Sequence, residues 1–364
     1  MVDFHRLKVA SVERIAEDAA CLTLEVPAAL RDAFVFQAGQ YLTVRRMIAG
    51  REERRTYSIV TAPGGEVLKL GIRAQTGGRM SGELSRLQGG EVLEVAAPMG
   101  RFRTSISAER AHSYVAFAAG SGITPILSLA TAILAREAHS RFTLVYGNRS
   151  IARTMFLEET LALKNRHLER FAVHFLMTRE PQQADWLNGR IDGAKVRELA
   201  RHHPEFASAD EYFICGPGDM VDEVRRAVEA LNGAAAIRVE RFAGGTPRPA
   251  PNPEPSGNAA PDRSPRTAPE ALASISIVMD GRRRNFSMAP GDASVLEAAE
   301  RAGLDLPFSC RSGICATCRA RITAGAAEMT HNIALEPWET AAGFVLCCQA
   351  RPTTSTLELS YDHK

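Results

Sequence analysis

Cysteines near the end of this 364-residue chain have the spacing of an iron–sulfur ligand set. Four residues separate Cys310 from Cys315, two separate Cys315 from Cys318, and a further cysteine follows at 347 or 348. This order predicts a 2Fe–2S cluster, because a tight loop can supply three thiolates and a distant strand the fourth. A zinc site would more usually have two separated C-x2-C pairs, and only one occurs here.

The fourth ligand is one of two adjacent cysteines. Cys347 and Cys348 follow the apolar letters GFVL, which indicate a strand, and successive side chains of a strand point to opposite faces. Only one of the two can therefore face the cluster. Cys21 lies in the alternating segment CLTLEV, where packing is the simplest role for its thiol. No pair among the seven cysteines needs to be a disulfide, which suits a reducing cytoplasm.

Length and charge restrict the class of protein. A chain of 364 residues predicts two or three domains. The net charge of +2 gives no sign of a nucleic-acid or anionic-membrane partner. The N-terminal residues are charged throughout, without the apolar core of a secretory signal, and no apolar run reaches the length of a membrane span. We therefore expect a cytoplasmic protein.

The first two-thirds of the chain shows two patterns. Residues 1–106 contain short alternating apolar runs divided by glycine and proline, which predicts a small antiparallel β-barrel. In residues 107–242, buried strands alternate with helices, which predicts a doubly wound parallel sheet of five strands.

A linker and a small third domain follow. Residues 243–272 hold eight prolines and almost no large apolar side chain, which is typical of a linker. In residues 273–364 a hairpin turning at Asp280-Gly281 precedes a helix with Ser294 as its N-cap, and the cysteine loop follows. This order predicts a β-grasp domain.

Two motifs in the predicted barrel carry polar groups suited to a nucleotide. Arg55, Tyr57 and Ser58 lie on one strand, and a glycine pair at 77–78 precedes a helix whose N–H groups could hold a pyrophosphate. Taken singly, the first is an exposed arginine beside a barrel aromatic and the second is a turn. Together with QAGQY at residues 37–41, they resemble the ferredoxin-NADP reductase family.

That resemblance implies FAD, rather than FMN, in the barrel. It implies that Arg55 neutralises the pyrophosphate, that Tyr57 stacks on the isoalloxazine and that the Ser58 hydroxyl lies close to flavin N5. It also implies phosphate contacts from the segment formed by Gly78, Arg79, Met80 and Ser81.

The predicted parallel sheet has a glycine turn where a dinucleotide can bind. Gly120 and Gly122 follow the first buried strand, and Thr124 and Pro125 open the next helix, with Thr124 as the expected N-cap. At this point of an α/β sheet a pyrophosphate can approach the backbone. The third glycine of the Rossmann fingerprint is absent, and GSGITP is the form that the reductase family uses.

Other strand ends resemble the nicotinamide-binding segments of the same family. They contain Arg149 in YGNR, Cys215, Gly216 and Pro217 in CGP, and Glu240 and Phe242 in ERF. The resemblance implies that Cys215 lies near nicotinamide C4 and orients hydride transfer, whereas packing alone would make it a buried strand thiol.

The choice between NADPH and NADH depends on cations near the adenine ribose. A 2′-phosphate prefers forked arginine donors. Arg179 and Arg190 are the candidates, and on this ground we favour NADPH. Solvated surface arginines, which would leave NADH possible, are the alternative.

Resemblance also selects the fourth cluster ligand and suggests an acceptor. The ferredoxin pattern ends in Cys-Gln, which implies Cys348 and leaves Cys347 as a half-buried thiol. Long stretches, among them LPFSCRSGICATC and LEPWETAAGFVLCCQA, resemble the reductase components of ring-1,2-phenylacetyl-CoA epoxidases. The implied function is electron transfer from NAD(P)H through FAD and the 2Fe–2S cluster to a di-iron, multisubunit oxygenase component. The long linker and Cys347 depart from the pattern.

Two alternatives remain open at this point. The acceptor could be a Rieske-type hydroxylase acting on steroids or aromatics, because electron-transfer motifs do not identify it. A non-catalytic sensor or binding protein with a structural zinc is the other alternative.

Overall fold

The computed structural model describes residues 3–242 and 272–363. They belong to two compact units, divided after Phe242. The predicted linker lies outside the described residues, except for Leu272. Within the two described segments, no helix is both long and apolar enough to cross a membrane.

An antiparallel sheet of six strands opens the first unit. The strands are β1 (Phe4–Ala16), β2 (Ala19–Glu25), β3 (Tyr41–Ile48), β4 (Arg51–Ser58), β5 (Val67–Arg73) and β6 (Val92–Ala96). Their order is β4-β3-β6-β1-β2-β5, and a backbone bridge between Ile59 and Leu70 joins the two edges. The sheet therefore closes into the predicted barrel around alternating leucine and valine side chains. A short helix, α1 (Arg79–Leu84), follows β5.

A parallel sheet of five strands completes the first unit. Its strands are β7 (Ser113–Ala119), β8 (Arg141–Asn148), β9 (Phe171–Met177), β10 (Glu211–Pro217) and β11 (Ala236–Phe242), in the order β11-β10-β7-β8-β9. Its helices are α2 (Ile123–Arg136), α3 (Leu157–Arg166), α4 (Gly193–His202) and α5 (Gly218–Leu231). This is the predicted doubly wound fold, in which ligands bind at the carboxyl ends of the strands.

The barrel packs tightly against the parallel sheet. A Cβ added to Gly71 on β5 would lie 2.7 Å from the Phe156 ring and 2.7 Å from the methyl group of Thr124. Only glycine permits this approach. Asp18, after β1, forms an ion pair with Arg153 of the α/β domain. These contacts fix the barrel relative to the start of α2.

The second unit is a mixed sheet with two short helices. Its strands are β12 (Ala273–Met279), β13 (Arg282–Met288), β14 (Arg319–Ala324), β15 (Ala327–Met329), β16 (Phe344–Leu346), β17 (Ala350–Pro352) and β18 (Thr356–Ser360). Five of them are ordered β13-β12-β18-β14-β16, and β15 pairs with β17. The helices are α6 (Val295–Arg301) and α7 (Pro337–Ala341).

Local signals in this unit act as predicted. Asp280 and Gly281 have φ angles of 53° and 68°, the two positive values that a tight hairpin requires. The Ser294 hydroxyl accepts a hydrogen bond from the Glu297 N–H at 3.3 Å and caps α6. Gly303, with a φ of 76°, ends that helix. The chain is thereby directed into the cysteine loop.

Candidate functional site

Ser58, Cys215 and Glu240 come together where the barrel meets the parallel sheet. The Ser58 hydroxyl, at the end of β4, lies 3.5 Å from Oε2 of Glu240 on β11. The Cys215 Sγ, on β10, lies 4.0 Å from the same oxygen. The structure therefore unites three residues that the sequence placed in separate motifs.

The Glu240 carboxyl is set up to hold a proton near neutral pH. Burial raises its pKa to about 8, and the Ser58 hydroxyl counteracts part of that rise. Burial, together with Glu240, also raises the pKa of Cys215, so this thiol stays neutral. A neutral thiol is a poor nucleophile, and the positional role of Cys215 stays a prediction.

The close packing behind Cys215 depends on Gly122. A Cβ at Gly122 would lie 2.2 Å from the Cys215 carbonyl oxygen, so any side chain would push the glycine turn away from β10. Gly120, in the same turn, has a φ of 56°. These restrictions fit a turn that must leave its backbone open to a dinucleotide.

Thr124 does not act as the predicted N-cap. A 3-10 turn at Gly120–Gly122 leads directly into α2, whose N-cap is Gly122. The buried Thr124 hydroxyl donates to the Ser121 carbonyl at 2.9 Å, and α2 has no side-chain cap. The N-cap prediction is wrong because the extra turn moves Thr124 inside the helix.

Tyr146 supports the glycine turn, a role that the sequence did not indicate. Its buried hydroxyl lies 3.0 Å from the Gly120 carbonyl and 3.2 Å from the Met155 carbonyl. The hydroxyl thereby ties the turn to the chain after β8. The tyrosine belongs to the YGNR motif, but nothing in that pattern indicates which carbonyl it contacts.

Arg55 and Arg79, both predicted to contact the FAD phosphates, form ion pairs with the same carboxylate, that of Glu53. Glu53 is 3.0 Å from Arg55 and 3.3 Å from Arg79, and its side chain is only 8% exposed. The two guanidinium groups are about half exposed. A buried acid that holds two exposed cations side by side fits a site for a diphosphate. Sequence analysis missed Glu53.

The remaining residues of the predicted flavin site are half-buried or buried. Tyr57 is half-buried on β4, and its burial raises the pKa of the phenol. Gly78 is the N-cap of α1, and the Ser81 hydroxyl accepts a hydrogen bond from the Gln75 N–H at 3.1 Å. Met80 is buried in the barrel core, so its side chain faces away from solvent. The roles of these residues toward FAD stay predictions.

Three arginines lie beyond the carboxyl ends of β8 and β9. The Arg179 N–H donates to the Arg149 carbonyl at 2.9 Å, and Arg190 follows a bridge between Met177 and Asn188. All three arginine side chains are exposed, and none has an ion pair or hydrogen bond to another described residue. They are thus available to an anionic ligand.

The pairing of β10 with β11 positions the remaining residues that were predicted to line this crevice. In the parallel register of β10 and β11, Cys215 lies opposite Glu240 and Pro217 opposite Phe242. Gly216 lies between them, and a Cβ there would be 3.1 Å from Met220. Phe242 is partly buried against the core beneath α2.

The four predicted cluster ligands form two pairs in the second unit. Cys310 and Cys315 lie within hydrogen-bonding distance of each other, as do Cys318 and Cys348. Contact with the Cys315 thiol lowers the pKa of Cys310, and the N–H groups of Ser312 and Ile314, each 3.4 Å from its sulfur, lower it further. Thiols that meet N–H donors are suited to act as thiolates.

Cys348, rather than Cys347, contacts the Cys318 thiol, and its role as the fourth ligand stays a prediction. Contact with Cys318 lowers the pKa of Cys348, and the Gln349 amide lies 3.6 Å from its sulfur. The two cysteines do not lie on a strand as expected, because β16 ends at Leu346 and the chain turns there. Cys347 is 0% exposed, so the prediction of a half-buried thiol is wrong.

The paired arrangement suits two metal ions better than one. A 2Fe–2S cluster is held by four thiolates, two to each iron. Structural zinc instead needs four ligands around a single point. Among the described histidine, cysteine, aspartate and glutamate side chains, no three converge as a site for one ion. The thiol pairs therefore fit the cluster.

Family models match all three parts of the chain. Residues 6–104 match the oxidoreductase FAD-binding domain, residues 117–226 the oxidoreductase NAD-binding domain, and residues 277–353 the 2Fe-2S iron-sulfur cluster binding domain. These matches confirm the predicted FAD, nicotinamide nucleotide and 2Fe–2S cluster.

Full-length relatives and a solved structure agree with this division. A subunit of 1,2-phenylacetyl-CoA epoxidase from Escherichia coli (strain K12) is 38% identical, over 100% of this chain and 99% of that protein. The ferredoxin reductase component of 3-ketosteroid-9-alpha-monooxygenase from Rhodococcus rhodochrous is 30% identical, over 98% and 96%. Phthalate dioxygenase reductase has the same fold, with a TM-score of 0.57, 24% identity and 98% of both chains covered. The chain therefore belongs to the family of flavin and iron–sulfur reductase components of oxygenases that includes this epoxidase subunit.

Proposed function

We propose that this oxidoreductase takes electrons from NADPH and delivers them, through FAD and its 2Fe–2S cluster, to the oxygenase component of a phenylacetyl-CoA epoxidase. The 38% identity to the Escherichia coli epoxidase subunit, over the whole chain, carries the proposal. FAD, when bound, accepts two electrons from the nicotinamide and releases them singly to the cluster. The chain supplies orientation, charge and exclusion of water.

Ser58, Cys215 and Glu240 form the wall at which nicotinamide and flavin meet. The neutral Cys215 thiol, 0% exposed, keeps the space narrow and dry. The Glu240 carboxyl, with a pKa of about 8, holds a proton within reach of the Ser58 hydroxyl. A protonated acid there keeps a negative charge away from the place where hydride is transferred.

Arginines bind the phosphates at both ends of this crevice. Arg55 and Arg79, joined by Glu53, carry the flavin pyrophosphate. Arg149, Arg179 and Arg190 have no competing side-chain partner in the described parts of the chain, which supports a contact with a 2′-phosphate. This is the ground for NADPH over NADH, because an adenine ribose without that phosphate gives the cations nothing to bind.

The cysteine pairs assign ligands to each iron. Cys310 and Cys315, which are half-buried, would hold one iron, and Cys318 and Cys348, which are buried, would hold the other. The side of Cys310 and Cys315 is the more exposed one and would be the side open to an electron acceptor. The acceptor is a di-iron, multisubunit oxygenase component. None of the seven cysteines forms a disulfide, which supports a cytoplasmic location.

Reconstitution tests the acceptor. The purified protein is mixed with the oxygenase component of a phenylacetyl-CoA epoxidase or with that of a 3-ketosteroid monooxygenase, and product is counted per NADPH consumed. We expect ratios near one only with the first component. The Cys348→Ser variant serves as a control that keeps the flavin. Coupled turnover with the ketosteroid component alone would reject the phenylacetyl-CoA assignment and leave the reductase assignment intact.

A further inference from the structure

The Gln349 side chain connects two parts of the cysteine site. Its amide nitrogen lies 2.9 Å from the Arg311 carbonyl, in the loop that begins at Cys310, and 3.6 Å from the sulfur of Cys348. Glutamine side chains are mostly exposed in proteins, whereas Gln349 is only 8% exposed. Its buried amide is therefore engaged with the protein rather than with solvent.

The Arg311 carbonyl determines which end of the amide faces the sulfur. A carbonyl only accepts hydrogen bonds, so the amide atom 2.9 Å from it is the NH2 group and not the oxygen. An NH2 group has two N–H donors, and the bond to Arg311 uses one of them. The other donor is left for the Cys348 sulfur, which lies within hydrogen-bonding distance.

Further contacts hold this amide in place. The Gln349 N–H donates to the Leu346 carbonyl at 2.8 Å, and the Gln349 carbonyl accepts from the Thr330 N–H at 3.0 Å. A Cβ added to Gly313, in the cysteine loop, would lie 3.2 Å from the Gln349 Cγ, so the aliphatic part of the side chain packs against this loop. The amide therefore has little freedom to turn away from the sulfur.

The bond to Arg311 supports donors to a second sulfur. Arg311 has a φ of 55°, in the left-handed region that residues other than glycine rarely adopt. Directly after it, the N–H groups of Ser312 and Ile314 each lie 3.4 Å from the Cys310 sulfur. Gln349 thus stabilises the backbone that presents donors to one sulfur and itself supplies a donor to another.

We propose that Gln349 is a positioning residue of the cluster site, which holds the cysteine loop through the Arg311 carbonyl and donates an N–H to the Cys348 thiolate, and that the bond to sulfur raises the reduction potential of the 2Fe–2S cluster. The inference rests on the proposed function of Cys348 as a cluster ligand. Reduction adds negative charge to the cluster, and a hydrogen-bond donor to a ligand sulfur stabilises that charge. The donor therefore favours the reduced state.

An EPR-monitored redox titration of the full-length holoprotein tests the effect on the potential. Methionine is close to glutamine in size and has no N–H donor in its side chain. We expect Gln349→Met to keep the spectrum of the reduced cluster and to lower the equilibrium constant for reduction about tenfold, which equals 59 mV for one electron. The matched control is Gln182→Met, which removes an amide that donates to the Glu180 carbonyl at 3.0 Å and should leave the midpoint unchanged. An unchanged midpoint in Gln349→Met overturns the proposal.

A second control separates the bond to sulfur from a general loosening of the loop. The Asn332 amide donates to the Leu335 carbonyl at 3.1 Å, and the neighbouring Ile333 N–H donates to the Gly313 carbonyl at 3.1 Å. Asn332→Ala removes support from the same loop without removing a donor to sulfur, so we expect its midpoint to match the wild type. A shift equal to that of Gln349→Met would assign the effect to loosening and overturn the proposal.

Pulsed EPR of the reduced cluster detects the bond itself, even if Gln349→Met fails to bind the cluster. In wild-type protein that carries the spin-half nitrogen isotope at its glutamine side-chain amides, a bond from Gln349 to a ligand sulfur should give a nitrogen coupling, which Gln182→Met should keep. A cluster signal without this coupling overturns the inference and leaves the proposed function intact. A wild-type protein without any 2Fe–2S signal would overturn both, whereas missing oxygenase turnover beside an intact coupling would reject only the proposed acceptor.

Discussion

Replacing Glu240 with glutamine tests whether this acid is held protonated in the fold. Burial raises the pKa of the carboxyl from 4.5 to about 8. The folded protein therefore keeps a proton that the unfolded chain has released between these pH values. Stability from this group is complete below about pH 4.5 and is lost as the pH rises toward 8.

The size of the effect follows from the same pKa. One pKa unit corresponds to about 1.4 kcal/mol. If the Glu240 carboxyl were fully shielded from solvent, the protein would lose about 5 kcal/mol of folding stability as the pH rises through this range. Glu240 is only partly buried as a residue, and solvent screening reduces the expected loss to about 2–3 kcal/mol. Glutamine has the same shape and does not titrate. The Glu240→Gln variant should therefore gain stability relative to the wild type as the pH rises.

Urea unfolding of the holoprotein at pH 5.5, 6.5 and 7.5, followed by the fluorescence of released FAD, measures this difference. The control is Glu229→Gln on α5, whose exposed carboxylate pairs with Arg225 at 2.8 Å and should leave the pH dependence unchanged. Parallel curves for wild type and Glu240→Gln would refute the reasoning, because the carboxyl would then be ionised in the folded state.

Three other changes test the remaining assignments. Cys348→Ser should abolish the cluster EPR signal and cytochrome c reduction, while ferricyanide reduction by the flavin continues. Cys347→Ser should keep the EPR signal and both activities. The reverse result would make Cys347 the ligand in place of Cys348. Arg179→Ala should raise the KM for NADPH about tenfold, the value of a charge-assisted hydrogen bond, with little change for NADH; equal effects would contradict a 2′-phosphate contact. Glu53→Gln should weaken FAD binding about fivefold, because two arginines lose their common support, and should leave riboflavin binding unchanged; equal losses for both ligands would mean that Glu53 acts on the fold alone.

The features that the sequence predicted well depend on neighbours in the chain. The cysteine loop, the Asp280-Gly281 hairpin and the GSG turn are short patterns whose backbone conformation follows from the residues themselves. The barrel and the parallel sheet follow from periodicity over longer segments. By contrast, charged residues interrupt the apolar alternation of β1 (Phe4–Ala16), so the sequence alone does not indicate where this strand begins and ends.

The features that the sequence did not reveal depend on contacts between distant segments. Glu53 meets Arg79 from a strand that is far from it in the chain. Tyr361 reaches the core of the second unit only because β18 lies between β12 and β14. Thr124 would cap α2 if the helix began where its pattern does, but the preceding 3-10 turn depends on packing against β10. No local pattern determines such contacts.

The placement of Glu240 shows how packing away from a site determines its chemistry. Alternate residues of β11 face opposite sides of the sheet. Val239 packs toward α5, and Arg241 forms a 2.6 Å ion pair with Asp222 of that helix, so Glu240 must face the barrel. A slip of one residue would place Val239 or Arg241 beside Ser58 and remove the proton-holding acid. Residues that touch no cofactor therefore hold the acid in place, and the barrel supplies only the Ser58 hydroxyl that meets it.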